Sequence, residues 1–174
     1  MRNTAFLLLG VALLIIQSSL YRVIDLVHDA GATPSLLLPL VVFMGVHEYS
    51  IARGVALSFI LGYLLDLFAA APIGLFTVIS VATFFMARIA GVRLAAQTLL
   101  TKVALAFVFA LLESILLVVL TAILGGDPYR ARALAVLVPA HAILTAAFAP
   151  LVFRLAERVH VATVASPTPP EGGR

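Results

Sequence analysis

Six runs of apolar residues follow one another along the chain, and within them polar side chains are too few to form a polar face. They cover about 4–21, 35–46, 51–70, 72–89, 101–124 and 133–155. A helix that crosses the hydrocarbon core of a bilayer needs about 20 such residues, with about 17 as the lower bound. Five of the runs meet that length. The second reaches it only when extended to 34–51, with polar His47 and Glu48 inside the extension. It predicts either a short, closely fitted helix or a re-entrant segment. Lipid-exposed irregular backbone is not tolerated, so the spans are expected to be helical. The pattern predicts an all-α integral membrane protein, a six-helix transmembrane bundle over 1–165. A Pro- and Gly-rich tail at 166–174, SPTPPEGGR, is expected to be disordered.

Composition strengthens this reading. Of 174 residues, 63% are hydrophobic and 11% charged, and the mean hydropathy is +1.19. A soluble domain is about half apolar and about a quarter charged. The absence of cysteine excludes disulfides, thiol catalysis and Cys-ligated metals. The sequence pI near 9.8 does not indicate nucleic acid, because the basic residues are scattered at the ends of apolar runs, where membrane topology places them. The N-terminus has the basic start and apolar stretch of a signal peptide. It lacks an A-x-A-like cleavage site and is followed by further apolar runs, so it is read as the first span.

The charges also set an orientation. With six spans and a cytoplasmic N-terminus, eight basic residues lie inside: Arg2, Arg53, Arg88, Arg93, Lys102, Arg154, Arg158 and Arg174. Three lie outside: Arg22, Arg130 and Arg132. With five spans the C-terminal arginines, Arg154 and Arg158 among them, move outside, and the balance becomes five against six. The positive-inside rule favours six spans with both termini cytoplasmic. The external connections, 22–33 and 125–132, are then short. The turn between the third and fourth runs, around 69–72, forces an antiparallel hairpin, with Pro72 in the first turn of the new helix, where its missing N–H costs nothing.

Away from their ends, the apolar runs are interrupted by two carboxyls and an imidazole: Asp66, Glu113 and His141. At ~1.5 Å per helical residue, Asp66 lies roughly 20 Å beyond Arg53 and Glu113 roughly 16 Å beyond Lys102. His141 lies about 14 Å in from external Arg132, so all three can meet at one level. A charge at that depth costs about 2.5–3.5 kcal/mol on insertion scales and so faces protein or water. A proton relay or ligand site is one reading. The other is structural: carboxyls that bond across helices, with Asp66 anchoring a loop backbone and His141 satisfying a carbonyl freed by Pro139. No H-x-x-x-H or H-E-x-x-H spacing, nucleotide loop or G-x-S-x-G is present, and no catalytic constellation emerges. Gly54, Ser58 and Gly62 form a small-residue stripe at i, i+4, i+8, suited to close packing within the bundle or to a partner.

Several short motifs occur in a specific order. Pro34-Ser35-Leu36-Leu37-Leu38-Pro39 opens the second run; Arg53-Gly54, then Gly62-Tyr63-Leu64-Leu65-Asp66-Leu67, then Pro72-Ile73-Gly74 follow. The order P-[NS]-x-L-L-x-P, R-G, G-x-x-x-D-L, P-[LI]-G resembles the MreD family of rod shape-determining membrane proteins. Gln17, the length and the six apolar runs agree with it. The motif-level resemblance covers about 17–76; beyond Arg88 only span count and hydropathy support it. Ser35 stands where the family often has Asn, and Ala69-Ala70-Ala71 where small polar residues are usual. The resemblance implies a non-enzymatic, cofactor-free subunit of the elongation machinery in the bacterial inner membrane. It would bind MreC and act with MreB, RodA and a penicillin-binding transpeptidase in peptidoglycan synthesis. It also implies a fold similar to the substrate-binding subunits of energy-coupling-factor transporters. A small-molecule-binding transporter subunit, with Asp66, Glu113 and His141 lining a cavity, is the alternative.

Overall fold

The computed structural model describes residues 2–27, 34–47, 50–69, 73–93, 99–124 and 128–164. They form six helices, and no strand occurs among them. The helices are α1 (Arg2–Val27), α2 (Leu37–His47), α3 (Ile51–Phe68), α4 (Leu75–Arg93), α5 (Leu99–Leu124) and α6 (Pro128–Val164). Three have stretches long and apolar enough to cross a membrane: Ile51–Phe68, Leu100–Ile123 and Leu134–Thr163. The apolar stretches of the others, Thr4–Leu20, Leu37–His47 and Leu75–Ala90, are shorter.

Some element boundaries differ from the sequence expectation. Helix α1 continues to Val27 and α6 begins at Pro128, so both enter segments expected to be external loops. Residues 22–27 contain neither Pro nor Gly to break α1, and Pro at the first helical position of α6 is favourable. Helix α6 also continues past 155 to Val164, with Pro139 and Pro150 inside it. Helix α4 begins at Leu75, after a turn at Ile73 and Gly74. Pro72 and the tail 166–174 lie outside the described residues.

One short helix organises the bundle. Helix α2 has 11 residues, about 16 Å of rise, roughly half of a hydrocarbon core. Every residue in 34–45 is buried. Helix α2 packs against all five other helices, and among the described residues these touch one another only as ring neighbours, in the order α1, α3, α4, α5, α6 and back to α1. A helix that is apolar all round belongs in such an interior. The second run thus forms a short buried helix, shorter than the 34–51 extent that a span would need.

Glycines set the closest approaches. A Cβ at Gly45 of α2 would stand 2.6 Å from the Ala87 Cβ and 2.9 Å from the Phe84 carbonyl oxygen. A Cβ at Gly54 would enter the ring of Phe84, and one at Gly62 would meet the Thr77 Cα at 2.7 Å. Ser58 between them is fully buried. Helix α4 therefore covers the Gly54–Ser58–Gly62 stripe, which serves packing within the bundle and is not available to a partner's helix.

Many large apolar side chains also lie on the outer surface. Phe59, Tyr63, Leu67 and Phe68 of α3, Phe85 and Ile89 of α4, and Val108, Ile115 and Ile123 of α5 are among many exposed large hydrophobic residues. Soluble monomers rarely present contiguous apolar patches above a few hundred Å². Such an outer surface, with three helices of spanning length, is compatible with a membrane protein.

Candidate functional site: two polar clusters inside the bundle

The first cluster is centred on Asp66, in the last turn of α3 and 1% exposed. Its Oδ1 accepts the Phe76 N–H at 2.7 Å. Its Oδ2 accepts the Gly74 N–H at 3.0 Å, the Thr77 N–H at 3.2 Å and the Thr77 hydroxyl at 2.6 Å. The local sequence explains this convergence. The Gly74 carbonyl accepts the Val78 N–H at 2.9 Å and so opens α4. Gly74 is thus the N-cap, but it has no side chain to bond the free N–H groups that begin a helix. Its φ of +101° is a conformation that glycine adopts readily. Asp66, eight residues upstream, supplies the missing acceptor, taking the N–H groups of the cap and of the second and third helical residues. A carboxylate there also faces the positive end of the helix dipole.

The second cluster surrounds the start of α2. The Leu36 N–H donates to Gln17 Oε1 of α1 at 2.9 Å. The Ser35 N–H donates to Thr145 Oγ1 of α6 at 3.0 Å. The Ser35 hydroxyl donates to Glu113 Oε1 of α5 at 3.4 Å. Leu36 and Leu37 cannot cap their own helix, so three neighbouring helices supply the acceptors. Pro39 is the third helical residue, where the absent N–H would have no intrahelical partner. Replacing Thr145 by Val, or Gln17 by Leu, leaves one of these buried N–H groups unpaired. Each change should lower unfolding stability in detergent by about 1–2 kcal/mol; thermal unfolding of the purified variants checks this.

Glu113 and His141 belong to the second cluster. His141 Nε2 stands 3.8 Å from Glu113 Oε2, and their side chains are 26% and 11% exposed. Asp66 does not join them, contrary to the expectation that all three meet at one level. Depth arithmetic fixes height but not the face of the helix, and the four donors of α4 hold the Asp66 carboxylate at the hairpin corner. His141 faces a carboxylate, a pairing that the carbonyl reading did not include. The sequence reading overlooked Gln17 and Thr145 as acceptors. It also overlooked Thr77, Ser80 and Thr83, a buried hydroxyl row on α4. Their spacing of three was the available signal.

At the far end of α2, His47 stacks on Phe43 with ring centroids 4.2 Å apart, and His160 of α6 lies 6.1 Å from His47. Lys102 and Glu157 pair nearby at 3.6 Å across α5 and α6. No group of three or more His, Asp or Glu residues that could hold a metal ion occurs among the described residues.

These features define an all-helical bundle with many exposed apolar residues, in which buried polar side chains close the starts of α2 and α4. Compared with family models, curated proteins and solved structures, the chain has no match.

Proposed function

We propose that this chain is a MreD-like, non-enzymatic subunit of the bacterial elongation complex. It binds MreC and helps to position peptidoglycan synthesis by RodA and a penicillin-binding transpeptidase along MreB filaments, and so maintains cell shape. In this reading the six helices are embedded in the inner membrane with both termini cytoplasmic. Residues 34–36, which precede α2 outside any helix, continue its passage, a course tolerated because that backbone is buried in protein. The likeness to energy-coupling-factor binding subunits is part of the same proposal.

One observation carries it: residues of the family-like motifs serve as structural parts of the bundle. Pro34 and Pro39 flank the start of the central helix, and Gly62, Asp66 and Gly74 build the corner between α3 and α4. Both oxygens of Asp66 accept hydrogen bonds from the start of α4. Motifs devoted to shape suit a scaffold. Because α4 covers the small-residue stripe, MreC would dock on another part of the apolar exterior.

Depletion of the protein in its rod-shaped host should turn rods into spheres and remove MreC from the material co-purified with RodA. Unchanged rods in a strain without a second copy of the gene would refute the proposal. The part-buried cluster of Glu113 and His141 with buried Ser35 and Thr145 favours a second reading, a small-molecule-binding transporter subunit. Native mass spectrometry of protein purified with its lipids separates the two: a stoichiometric small molecule supports the second reading.

A further inference from the structure

Glu113 is satisfied on one side only. Its Oε1 accepts from Ser35, but its Oε2 is buried without a hydrogen-bond partner in the protein. The 3.8 Å to His141 Nε2 exceeds hydrogen-bond length. A buried oxygen left unpaired destabilises the fold, and more so when charged. Beside it is a cavity of about 10 Å³ lined by Leu37, Leu38, Val41, Ser80, Thr83 and Glu113. Apolar cavities stay dry. A polar one holds a water once it reaches about 10–15 Å³ and offers two to four polar partners. This cavity stands at the lower bound in volume, and Glu113, Ser80 and Thr83 provide three polar side chains.

We propose that this cavity is a binding site for one ordered water, which donates to Glu113 Oε2 and pairs with the hydroxyl of Ser80 or Thr83. The water ties α5 to α4 alongside α2. That position has structural weight, because the α3–α4 and α5–α6 pairs meet at the α4–α5 seam. Such a bridge is enthalpically nearly as good as a direct hydrogen bond.

A structure of the full chain in lipid, at a resolution that shows ordered water, tests the site. The expected result is one density peak within hydrogen-bonding distance of Glu113 Oε2 and of a Ser80 or Thr83 hydroxyl. A dry cavity, Glu113 turned to bond His141 directly, or an ion at coordination distance would overturn the proposal. A thermal-unfolding cycle tests it independently, with Glu113→Met on one side and Ser80→Ala with Thr83→Val on the other. A shared water makes the combined loss in Tm smaller than the sum of the separate losses, whereas additive losses count against it. If Glu113→Met does not fold, the density in the unmodified protein decides.

Discussion

Asp66→Ala should leave a protein that extracts poorly or unfolds early. The substitution strips acceptors from three backbone N–H groups and one hydroxyl at the start of α4. Asp66 is fully buried, so water does not replace the lost partner without opening the hairpin corner. Each hydrogen bond to a charged group is worth about 1.5–3 kcal/mol, and such losses do not add fully. A total of about 3–5 kcal/mol is expected, at the high end for a single change. Asp66→Asn should retain part of the stability. Its single oxygen can take the position that bonds Gly74 and Thr77, while its amide group cannot accept from Phe76. The expected order of thermal stability in detergent is therefore wild type, Asn, Ala. An Ala variant as stable as wild type would mean that α4 begins without this cap. In the proposed complex, the Ala variant should also lose co-purified MreC, through loss of fold rather than of a contact.

Gly62→Ala should be nearly as damaging, although it adds only one methyl group. The new Cβ would stand 2.7 Å from the Thr77 Cα and 2.8 Å from the Phe76 carbonyl oxygen. Both are backbone atoms of α4 and cannot rotate away, so the helices must separate. Overpacking of this kind typically costs about 1–3 kcal/mol, offset by up to about 1 kcal/mol from the better helix propensity of Ala. Separation also lengthens the bonds to Asp66 a turn away, so a net loss of about 2–3 kcal/mol is expected. Gly10→Ala is the contrasting variant. Its methyl meets the end of the Leu61 side chain, which can change rotamer, and the loss should be much smaller. Unfolding midpoints of the two variants, measured side by side, check the difference. Equal midpoints would show that α3 and α4 slide apart more readily than their packing implies.

Both predictions rest on residues that stand out in the sequence, yet the sequence gives their roles only in part. Asp66 is legible because a carboxylate in an apolar run must find partners, and Pro72 with Gly74 marks a turn close behind it. That its partners are the N–H groups of the next helix depends on Gly74 opening α4 without a side chain of its own. The Gly54–Ser58–Gly62 stripe is legible as a packing surface, but small residues do not specify which helix arrives. The helix is α4, because the short turn holds it there and its Phe84 ring and Thr77 backbone fit the space. Glu113 and His141 are legible as a similar depth, but their pairing depends on how α5 and α6 rotate about their axes.

The sequence alone determined the number of helices, their approximate limits and the apolar character of the outer surface. These follow from the length and composition of each run, properties local to the chain. Only the tertiary structure decided that the shortest helix is central, that five others ring it, and that its start is closed by Gln17, Thr145 and Glu113 from three of them. In a chain apolar on nearly every face, hydrophobic periodicity does not mark which side of a helix is interior. That choice falls to volume, to close approach at glycines and to the pairing of the few polar groups, and these act between segments far apart in sequence.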